Sequence, residues 1–375
     1  MAISERTSGR MLAAILMVAL ILVGCTAGST TTSSPAAGTP SPSSSAPEPS
    51  STAPSESPSA ATGPMEKVTV NLSFTYNPVA WYTLYDYAIE KGYFARNNLE
   101  VELVEGTGSA NVVQVIANGG ADFGAGIDTQ VIIRAVNQGA PLVAVAVEHP
   151  QSGISVLSRG DTPIATPQDL PGKKIGFAPG SYGSIIFPTL LAANDIDPAS
   201  VTIINVAPPA YLPSLASKTI DGYISSWENN LPVLEKEGLN PVALKFSDFG
   251  IGYKPSEVTI VTRDTASQRP DTVRRFLLAM NEMYNDVIDG GDAAIQEMAE
   301  IAVRNHPAAL QVDTTVRILT THLDLVRQQR DTRGAAFASE TADWQANVDL
   351  MVKYLDLEAP QPGDAYFTNE FVPNE

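Results

Sequence analysis

From Lys67 onward, segments typical of strands alternate with segments typical of helices, and this alternation restricts the folds open to the chain. Residues 68–72 alternate apolar and polar side chains and are rich in β-branched residues, as strands are. A helical pattern follows, with Asn77-Pro78 as its start and Gly92 as its stop. Repetition of this unit with short loops predicts an α/β fold whose mostly parallel sheet is covered by helices on both faces.

The same periodicities predict two successive αβ series. In the first, we expect strands at 100–104, 121–125 and 142–147, and helices at 109–119 and 128–137. The second series begins near Ser155, with strands at 173–177, 201–206, 222–226 and 242–246 and helices at 181–194, 210–218 and 228–237. Residues 258–261 then look like a strand that returns to the first sheet, and the chain is helical from Pro270 onward.

This order predicts two lobes joined by two crossings, near 153–158 and 259–264. We assign residues 66–154 plus 263–375 to lobe I and residues 155–262 to lobe II, because about 310 residues exceed one compact domain. Ligands of open αβ sheets bind outside the carboxyl ends of the strands, so both lobes would direct those ends at one cleft. Hinge closure on a ligand is the motion that such an arrangement supports.

The start of the chain predicts secretion and a lipid anchor. Arg6 and Arg10 precede an uninterrupted apolar run at 11–23, and small residues lead to Cys25, the only cysteine. The run is too short for a membrane span, which needs about 20 apolar residues. The segment resembles a bacterial lipobox, so residues 1–24 are interpreted as a signal peptide and Cys25 as the lipidated (palmitate-bearing) N-terminus. The alternative is an ordinary signal peptide with a chance cysteine.

The segment that follows Cys25 predicts a flexible stalk. Residues 26–65 are Ser, Thr, Pro, Ala or Gly except for Glu48, Glu56 and Met65. Such a composition offers too little apolar surface to offset the entropy of ordering. We therefore expect residues 25–65 to hold a folded, lipid-anchored domain on the extracytoplasmic face of the cell membrane.

Charge and composition exclude several classes of partner. The formal net charge of −18 disfavours nucleic acid and anionic lipid surfaces, although local donors can still bind an anionic ligand. His149, His306 and His322 show no metal-ligand spacing, so we expect no metal site and no cofactor. The size of the core permits folding without a disulfide, and we expect a monomer.

Several motifs together resemble one known family. They are AIEKGYF at 88–94, LEV at 99–101, NGGADFG at 118–124, GAPLV at 139–143, LPGKKI at 170–175 and PGSYG at 179–183. These stretches resemble solute-binding proteins of ABC importers, in the sulfonate, nitrate and thiamine-pyrimidine branch (SsuA/THI5-like, NMT1-like). The resemblance implies a type II periplasmic-binding-protein fold, with a hinge and an interlobe cleft, and delivery of a small molecule to a membrane permease.

Candidate ligand contacts in lobe I follow the predicted strand ends. Trp81 and Tyr82 open a helix beside the cleft and can stack on a flat ring; the alternative is packing against the neighbouring helix. Loops at helix starts offer free backbone N–H groups, with capping by Ser109 and Asp128 as the coexisting structural role. Further candidates there and beside the crossing are Thr107, Gly108, Asp128, Thr129, Gln130, His149 and Gln151.

Lobe II supplies the rest of the predicted site. The loop with Ser181, Tyr182 and Gly183 opens a helix, where Ser181 can also act as a cap, and Tyr211 is a second stacking wall. Trp227 and Glu228 follow a strand and suit a flat, basic heterocycle, since the ring stacks and the carboxylate accepts from an amino group. The alternative is that Glu228 serves only the helix dipole.

These features predict a non-enzymatic carrier of a small aromatic or heterocyclic nutrient that is thiamine-pyrimidine-like. A binder of sulfonate, nitrate or a similar oxyanion is the alternative; no Arg or Lys lies at a predicted strand end of the cleft, which shifts the balance away from it. The resemblance also includes a thiamine-pyrimidine synthase that uses a cysteine-rich iron motif and pyridoxal phosphate. One cysteine, already assigned to the lipid, cannot form that iron site.

Overall fold

The computed structural model describes residues 64–76, 80–178 and 181–373, all within one compact unit, Pro58–Glu375. The predicted signal peptide, Cys25 and all but the last two residues of the predicted linker lie outside the described residues. The predicted helix start at Asn77-Pro78 also lies outside them. In the described part of the chain, no helix has both the length and the apolar character that crossing a bilayer requires.

Among the described residues, ten strands form two five-stranded sheets. The first has the order β2-β1-β3-β10-β4 and the second the order β7-β6-β8-β5-β9. The strands are β1 Glu66–Leu72, β2 Leu99–Glu105, β3 Phe123–Asp128, β4 Leu142–His149, β5 Ile154–Ser158, β6 Lys174–Phe177, β7 Thr202–Asn205, β8 Gly222–Ser226, β9 Val242–Lys245 and β10 Glu257–Thr262.

In the part of the chain that the structure describes, eleven α-helices connect or cover these strands. They are α1 Thr83–Glu90, α2 Tyr93–Arg96, α3 Ser109–Ala117, α4 Thr129–Asn137, α5 Tyr182–Ala193, α6 Tyr211–Ala216, α7 Trp227–Lys236, α8 Arg263–Gln268, α9 Pro270–Asn305, α10 Val312–Arg333 and α11 Thr341–Tyr354. Helix α9 is interrupted at Gly291, whose φ of 59° lies in the left-handed region that glycine adopts without a Cβ clash.

Both sheets are mixed, which refines the prediction of a mostly parallel sheet. In the first sheet β1 runs parallel to β2 and β3, whereas β10 runs antiparallel to both β3 and β4. In the second, β6 runs parallel to β7 and β8, whereas β5 runs antiparallel to β8 and β9. The antiparallel strands are those at the two crossings, because a chain that leaves one sheet enters the next from the edge that faces it.

The crossings hold the two sheets at a common edge. The first runs from His149 to Ile154, slightly before the predicted 153–158, and the second from Lys245 to Glu257. The second crossing precedes the predicted 259–264, and β10 belongs to the first sheet although the predicted lobe II extends to 262. The two crossing segments bond to each other through Ser152 N–H to Tyr253 O (3.0 Å) and Ser256 N–H to His149 O (2.9 Å).

Apolar clusters cover the faces of both sheets. On one face of the first sheet, Phe276 of α9 stacks on Phe123 and Phe94, with centroids 4.1 and 5.3 Å apart. The opposite face is part of a cluster that continues into the second sheet through β5 and α5. A third cluster, with Leu157, Tyr223 and Leu234, covers the other face of the second sheet. Each sheet thus has its own packed layers, and the shared cluster joins them beside the crossings.

Candidate ligand-binding site between the two sheets

A cavity of about 450 Å³ lies between elements of the two sheets. Tyr76, just after β1, borders it from the first sheet, and Tyr211 at the start of α6 borders it from the second. The N-terminal turn of α7 and the segment between α9 and α10 complete its wall, with Asn229, Asn230, Leu310 and Thr315. Its size is that of sites that take small organic ligands.

The Tyr76 ring stacks on a histidine. Tyr76 stacks on His306 with centroids 3.7 Å apart and an interplanar angle of 20°, and His306 Nε2 lies 2.9 Å from Asp86 Oδ2. Burial, and then the charge of Asp86, raises the pKa of Tyr76 well above its usual range. Tyr76 was not among the predicted contacts, although its position directly after the first strand is the signal that identifies it.

The Tyr211 wall is fixed in a similar way. Its ring stacks on Tyr223, with centroids 4.8 Å apart, and its hydroxyl accepts the Ala178 N–H at 3.1 Å. Tyr211 therefore borders the cavity, with its orientation set by β8 and by the end of β6. The two tyrosines present aromatic surface from opposite sheets.

The first turn of α7 brings amide and carboxylate groups to this region. The Asn229 side chain is 8% exposed and its Oδ1 has no hydrogen-bond partner in the described part of the chain. Ser226 Oγ donates to Glu228 Oε2 at 2.5 Å and also accepts from the Asn229 amide N–H at 3.4 Å. Ser226 thus connects the cavity wall to Glu228.

Glu228 is buried against the first crossing. It is 3% exposed, its Oε1 has no partner within the described residues, and the Trp227 N–H donates to Gly153 O at 2.9 Å. A Cβ built on Gly153 would lie 1.7 Å from Glu228 Oε2, so only glycine permits this approach. The alternative in which Glu228 serves only the helix dipole does not fit a buried carboxylate at the hinge.

Three further carboxylates lie near the crossings, at Asp128, Glu148 and Glu257. Glu148 accepts hydrogen bonds from Tyr85 OH (2.6 Å), from the Gly126 N–H (2.8 Å) and from the Thr259 hydroxyl. Burial raises the pKa of Glu148 to about 7 and that of Asp128 to about 6. These carboxyl groups therefore take up protons near neutral pH.

Among these carboxylates, Glu257 has the most strongly raised pKa. Burial raises its pKa well above the usual range, and repulsion from Asp128, Glu148 and Glu228 raises it further. Asp128, Glu148 and Glu228, which come from both sheets, thus lie within electrostatic reach of Glu257. Among the described residues, no His, Cys, Asp and Glu groups are arranged as metal ligands.

Tyrosine hydroxyls face the same carboxylates. Tyr182 opens α5, and its ring centroid lies 5.9 Å from that of Tyr253 in the second crossing. Both hydroxyls are buried and lack a hydrogen-bond partner in the described ranges. Burial, then neighbouring charges that include Asp128, raises the pKa of both tyrosines. The structure thus brings predicted Tyr182 together with predicted Asp128, and adds Tyr253, Glu148 and Glu257, which sequence reasoning missed.

Three aromatic residues that were predicted to contact the ligand do not border the cavity. Trp81 is 2% exposed and stacks on His322 of α10 (centroids 5.0 Å, 7°), so the helix-packing alternative describes it. Tyr82 is buried, and its hydroxyl shares a 2.6 Å hydrogen bond with Ser73 Oγ. The Trp227 ring contacts Lys245, whose Nζ lies 3.6 Å from its centroid, and Trp227 does not border the cavity. Apolar periodicity cannot separate a wall of the cleft from a wall of the core.

The predicted capping roles are wrong. Ser109 follows the N-cap, which is Gly108, and its hydroxyl donates to Asp128 Oδ2 at 2.9 Å. Asp128 and Ser181 are N-caps whose side chains make no capping hydrogen bond, and Ser181 Oγ is buried without a partner in the described part of the chain. These side chains remain available in the site because the caps do not use them.

The other predicted contacts have local roles. The Thr129 hydroxyl donates to Pro255 O and Ser256 O, and His149 Nδ1 lies 2.7 Å from Gln151 O, so these residues tie the crossings to the first sheet. Gln130 borders a separate groove between α3, α4 and α11. Thr107 is exposed beside Gly108, whose N–H donates to Ser73 O. A Cβ at Gly183 would lie 2.9 Å from Ile224 Cγ2, which indicates a packing role.

Two sheets joined by two crossings, with a polar and aromatic cavity between them, define a solute-binding protein of the periplasmic-binding-protein fold. The chain belongs to the NMT1/THI5-like family, whose model matches residues 82–294. It is 26% identical to riboflavin-binding protein RibY of Chloroflexus aurantiacus, over 97% of this chain and 98% of that protein. It is 24% identical to the formylaminopyrimidine-binding protein of Halalkalibacterium halodurans, over 80% and 90%.

The fold is also that of a solved binding protein. The periplasmic aliphatic sulphonate binding protein SsuA of Escherichia coli superposes with a TM-score of 0.60 at 14% identity, over 80% of this chain and 96% of that one. At this identity the likeness shows the fold alone. It confirms the periplasmic-binding-protein fold that the family resemblance implies.

Proposed function

We propose that the protein is the extracytoplasmic substrate-binding lipoprotein of an ABC importer and that it captures a small aromatic or heterocyclic nutrient. The observation that carries this proposal is the cavity between Tyr76 and Tyr211, which is lined by Asn229; the preceding residue, Glu228, has a buried carboxylate oxygen without a hydrogen-bond partner among the described residues. Two aromatic walls suit a flat ring, and a carboxylate suits its amino or ring N–H donors. Closure of the hinge then presents both lobes to the permease.

The relatives support a heterocycle over an oxyanion. Two of them are named for binding riboflavin and formylaminopyrimidine, both flat nitrogen heterocycles. Their names also support a carrier rather than an enzyme. Within the described residues, no Arg or Lys borders the cavity except Lys236, which is already paired with Asp313 at its rim. An oxyanion would therefore face carboxylates without a free cation.

A titration of the purified protein tests the ligand class. Isothermal calorimetry with formylaminopyrimidine, riboflavin and an alkanesulfonate should give saturable binding of a heterocycle and none of the sulfonate. Glu228→Gln should weaken heterocycle binding by ~1.5–3 kcal/mol, since a charged hydrogen bond is lost. Glu102→Gln, on an exposed position of β2, is the matched control. Tight binding of the sulfonate alone would contradict the proposal.

The anchor is tested separately. Cys25→Ser should abolish incorporation of labelled palmitate and release the protein from the membrane fraction into the medium, or leave it uncleaved. The control Ser29→Ala changes a residue of the predicted linker and should leave labelling intact. A variant without Cys25 that remains labelled and processed would show that the lipid-anchor proposal is wrong.

A further inference from the structure

We propose that His306 is a positioning residue of the ligand site, which fixes two adjoining walls of the cavity, the Tyr76 ring and residues 308–311. This inference deepens the proposed function and rests on it, because it explains how the aromatic wall that receives the ligand ring is kept in place. It goes beyond the lining of the cavity, since the described residues that border the cavity do not include His306.

The imidazole of His306 covers one face of the Tyr76 ring. The two rings are nearly parallel, at 20°, and their centroids lie 3.7 Å apart. Tyr82 meets Tyr76 edge-on, with centroids 6.5 Å apart and an interplanar angle of 84°. Both geometries are favourable for aromatic pairs. Because Tyr76 is 4% exposed and borders the cavity, the two rings packed against it set the orientation of this wall.

Asp86 of α1 fixes the imidazole in turn. His306 Nε2 lies 2.9 Å from Asp86 Oδ2, in a partly buried contact. A hydrogen bond to a carboxylate is stronger than one between neutral groups, so it holds the imidazole in one orientation. A phenyl ring at this position would stack on Tyr76 but offer no donor to Asp86, and an amide would offer the donor without the stack. Histidine supplies both.

The backbone of His306 holds the second wall. Its carbonyl oxygen accepts hydrogen bonds from the Ala309 N–H at 3.0 Å and from the Leu310 N–H at 3.1 Å. These bonds form the turn that follows α9, and residues 308–311 of this turn border the cavity. His306 therefore connects the wall after the first strand, at Tyr76, to the wall between α9 and α10.

The second wall also contacts the other sheet. Gln311 accepts a hydrogen bond from Lys236 Nζ, and Asp313 pairs with the same ammonium group at 3.1 Å. Lys236 belongs to α7, which follows β8 of the second sheet. His306 thus lies between the Tyr76 ring and a contact that joins the two lobes, so its loss would disturb the cavity on both sides.

A role in helix packing alone would have a different consequence. His306 joins α9 to α1, and so does Arg304, through its exposed ion pair with Glu90. If His306 only joined these helices, its replacement would lower stability and would act on ligand binding independently of Tyr76. A positioning role makes the effect of His306 on binding depend on the presence of the Tyr76 ring.

Calorimetry with riboflavin and formylaminopyrimidine as probes tests this dependence. His306→Ala and Tyr76→Ala should each weaken the bound heterocycle by about fivefold, as loss of an aromatic stack predicts. The double variant should bind within about twofold of the weaker single variant, because both changes disrupt the same stack. His306→Phe keeps a ring on Tyr76 and should regain most of the affinity. Arg304→Ala is the matched control and should stay within about twofold of the wild type.

A measurement without ligand separates this inference from the proposed function. In protein labelled with fluorotyrosine, the fluorine resonance of Tyr76 is assigned by its loss in Tyr76→Phe. This resonance should shift in His306→Ala and in Asp86→Ala, which frees the imidazole, and should keep its position in Arg304→Ala. Thermal melting shows whether each variant is folded, and Asp86→Ala decides the matter if His306→Ala does not fold.

The two failures are distinguishable. An unmoved Tyr76 resonance, or losses of affinity that multiply in the double variant, would overturn the positioning role of His306 and leave the proposed function intact. Failure of both heterocycles to bind the wild type would overturn the proposed function, and the fluorine resonance would still decide whether His306 orients Tyr76.

Discussion

Lys236 of α7 pairs with Asp313 of α10 at 3.1 Å, across the rim of the cavity and between elements that belong to different sheets. Arg317 of α10 pairs in the same way with Glu235 of α7. Both pairs are largely exposed, so each contributes little on its own. In the proposed hinge motion, opening would separate α7 from α10 and break both ion pairs.

The first prediction concerns this connection. Lys236→Ala should weaken ligand binding by about 0.2–1 kcal/mol, mostly through faster dissociation, because an exposed ion pair of the closed form is lost. Stopped-flow dissociation at low and high salt measures the effect, which should shrink as salt screens the pair. The control Arg327→Ala removes an exposed pair with Asp324 inside α10 and should leave dissociation unchanged. Equal effects of the two variants would contradict the closed-state role.

The second prediction concerns the Tyr211 wall. Tyr211→Ala should weaken a flat ligand by about 0.5–1.5 kcal/mol beyond the effect of lost contact area, because stacking is removed. Tyr211→Phe keeps the ring and should retain most of the affinity, losing only the hydrogen bond to the Ala178 N–H. Titration calorimetry compares the two. Equal losses would show that the hydroxyl, rather than the ring, matters.

The third prediction concerns the approach of Gly153 to Glu228. Gly153→Ala should displace the Glu228 carboxylate, because the added Cβ would overlap it. We expect loss of ligand binding and destabilisation by about 1–3 kcal/mol, as for overpacking of a core. Urea unfolding and calorimetry measure the two effects. Gly252→Ala, where the nearest atoms lie 3.2 Å from the new Cβ, is a milder control in the other crossing.

The sequence predicts the order of the strands because each depends on local composition. Nine of the ten strands in the described residues lie within a few residues of their predicted positions, whereas β5 was predicted only as part of the first crossing. The sequence did not predict the direction in which side chains point. Trp81 has the composition of a ligand wall but packs on His322, a partner distant in sequence that local patterns do not reveal. Tyr82 instead shares a hydrogen bond with Ser73, nine residues away.

The same limit explains the missed carboxylates. Glu148 and Glu257 come at the end of one strand and the start of another, and β10 runs antiparallel to β4, so the sheet places them at the same edge. That antiparallel arrangement was not predicted, and without it the two residues are ordinary strand ends. Glu228 was found because an aromatic residue and an acid at a helix start form a local pattern.

The fourth prediction is a pH dependence caused by Glu148. Its pKa is raised to about 7 when folded, against about 4.3 when unfolded, so the folded state binds more protons between these values. Stability therefore falls as pH rises from about 4.5 to 7, by up to about 1.4 kcal/mol per pH unit for one such group. Glu148→Gln should flatten this slope in urea unfolding curves. Glu358→Gln, an exposed change, should preserve it.

The fifth prediction has the opposite sign and concerns His322. Burial, and then the nearby His149, lowers the pKa of His322 well below its usual range, and its Nε2 lies 3.0 Å from Tyr284 OH. The unfolded chain protonates this histidine near pH 6.5, whereas the folded chain does not, so its contribution to stability is lost as pH falls below that value. His322→Phe keeps a ring against Trp81 and should reduce the loss of unfolding free energy between pH 7 and pH 5. The substitution should also lower the free energy of unfolding by about 1 kcal/mol at pH 8, where it removes only the hydrogen bond to Tyr284. A variant whose stability changes with pH as the wild type does would show that the pKa of His322 is not lowered in the folded protein.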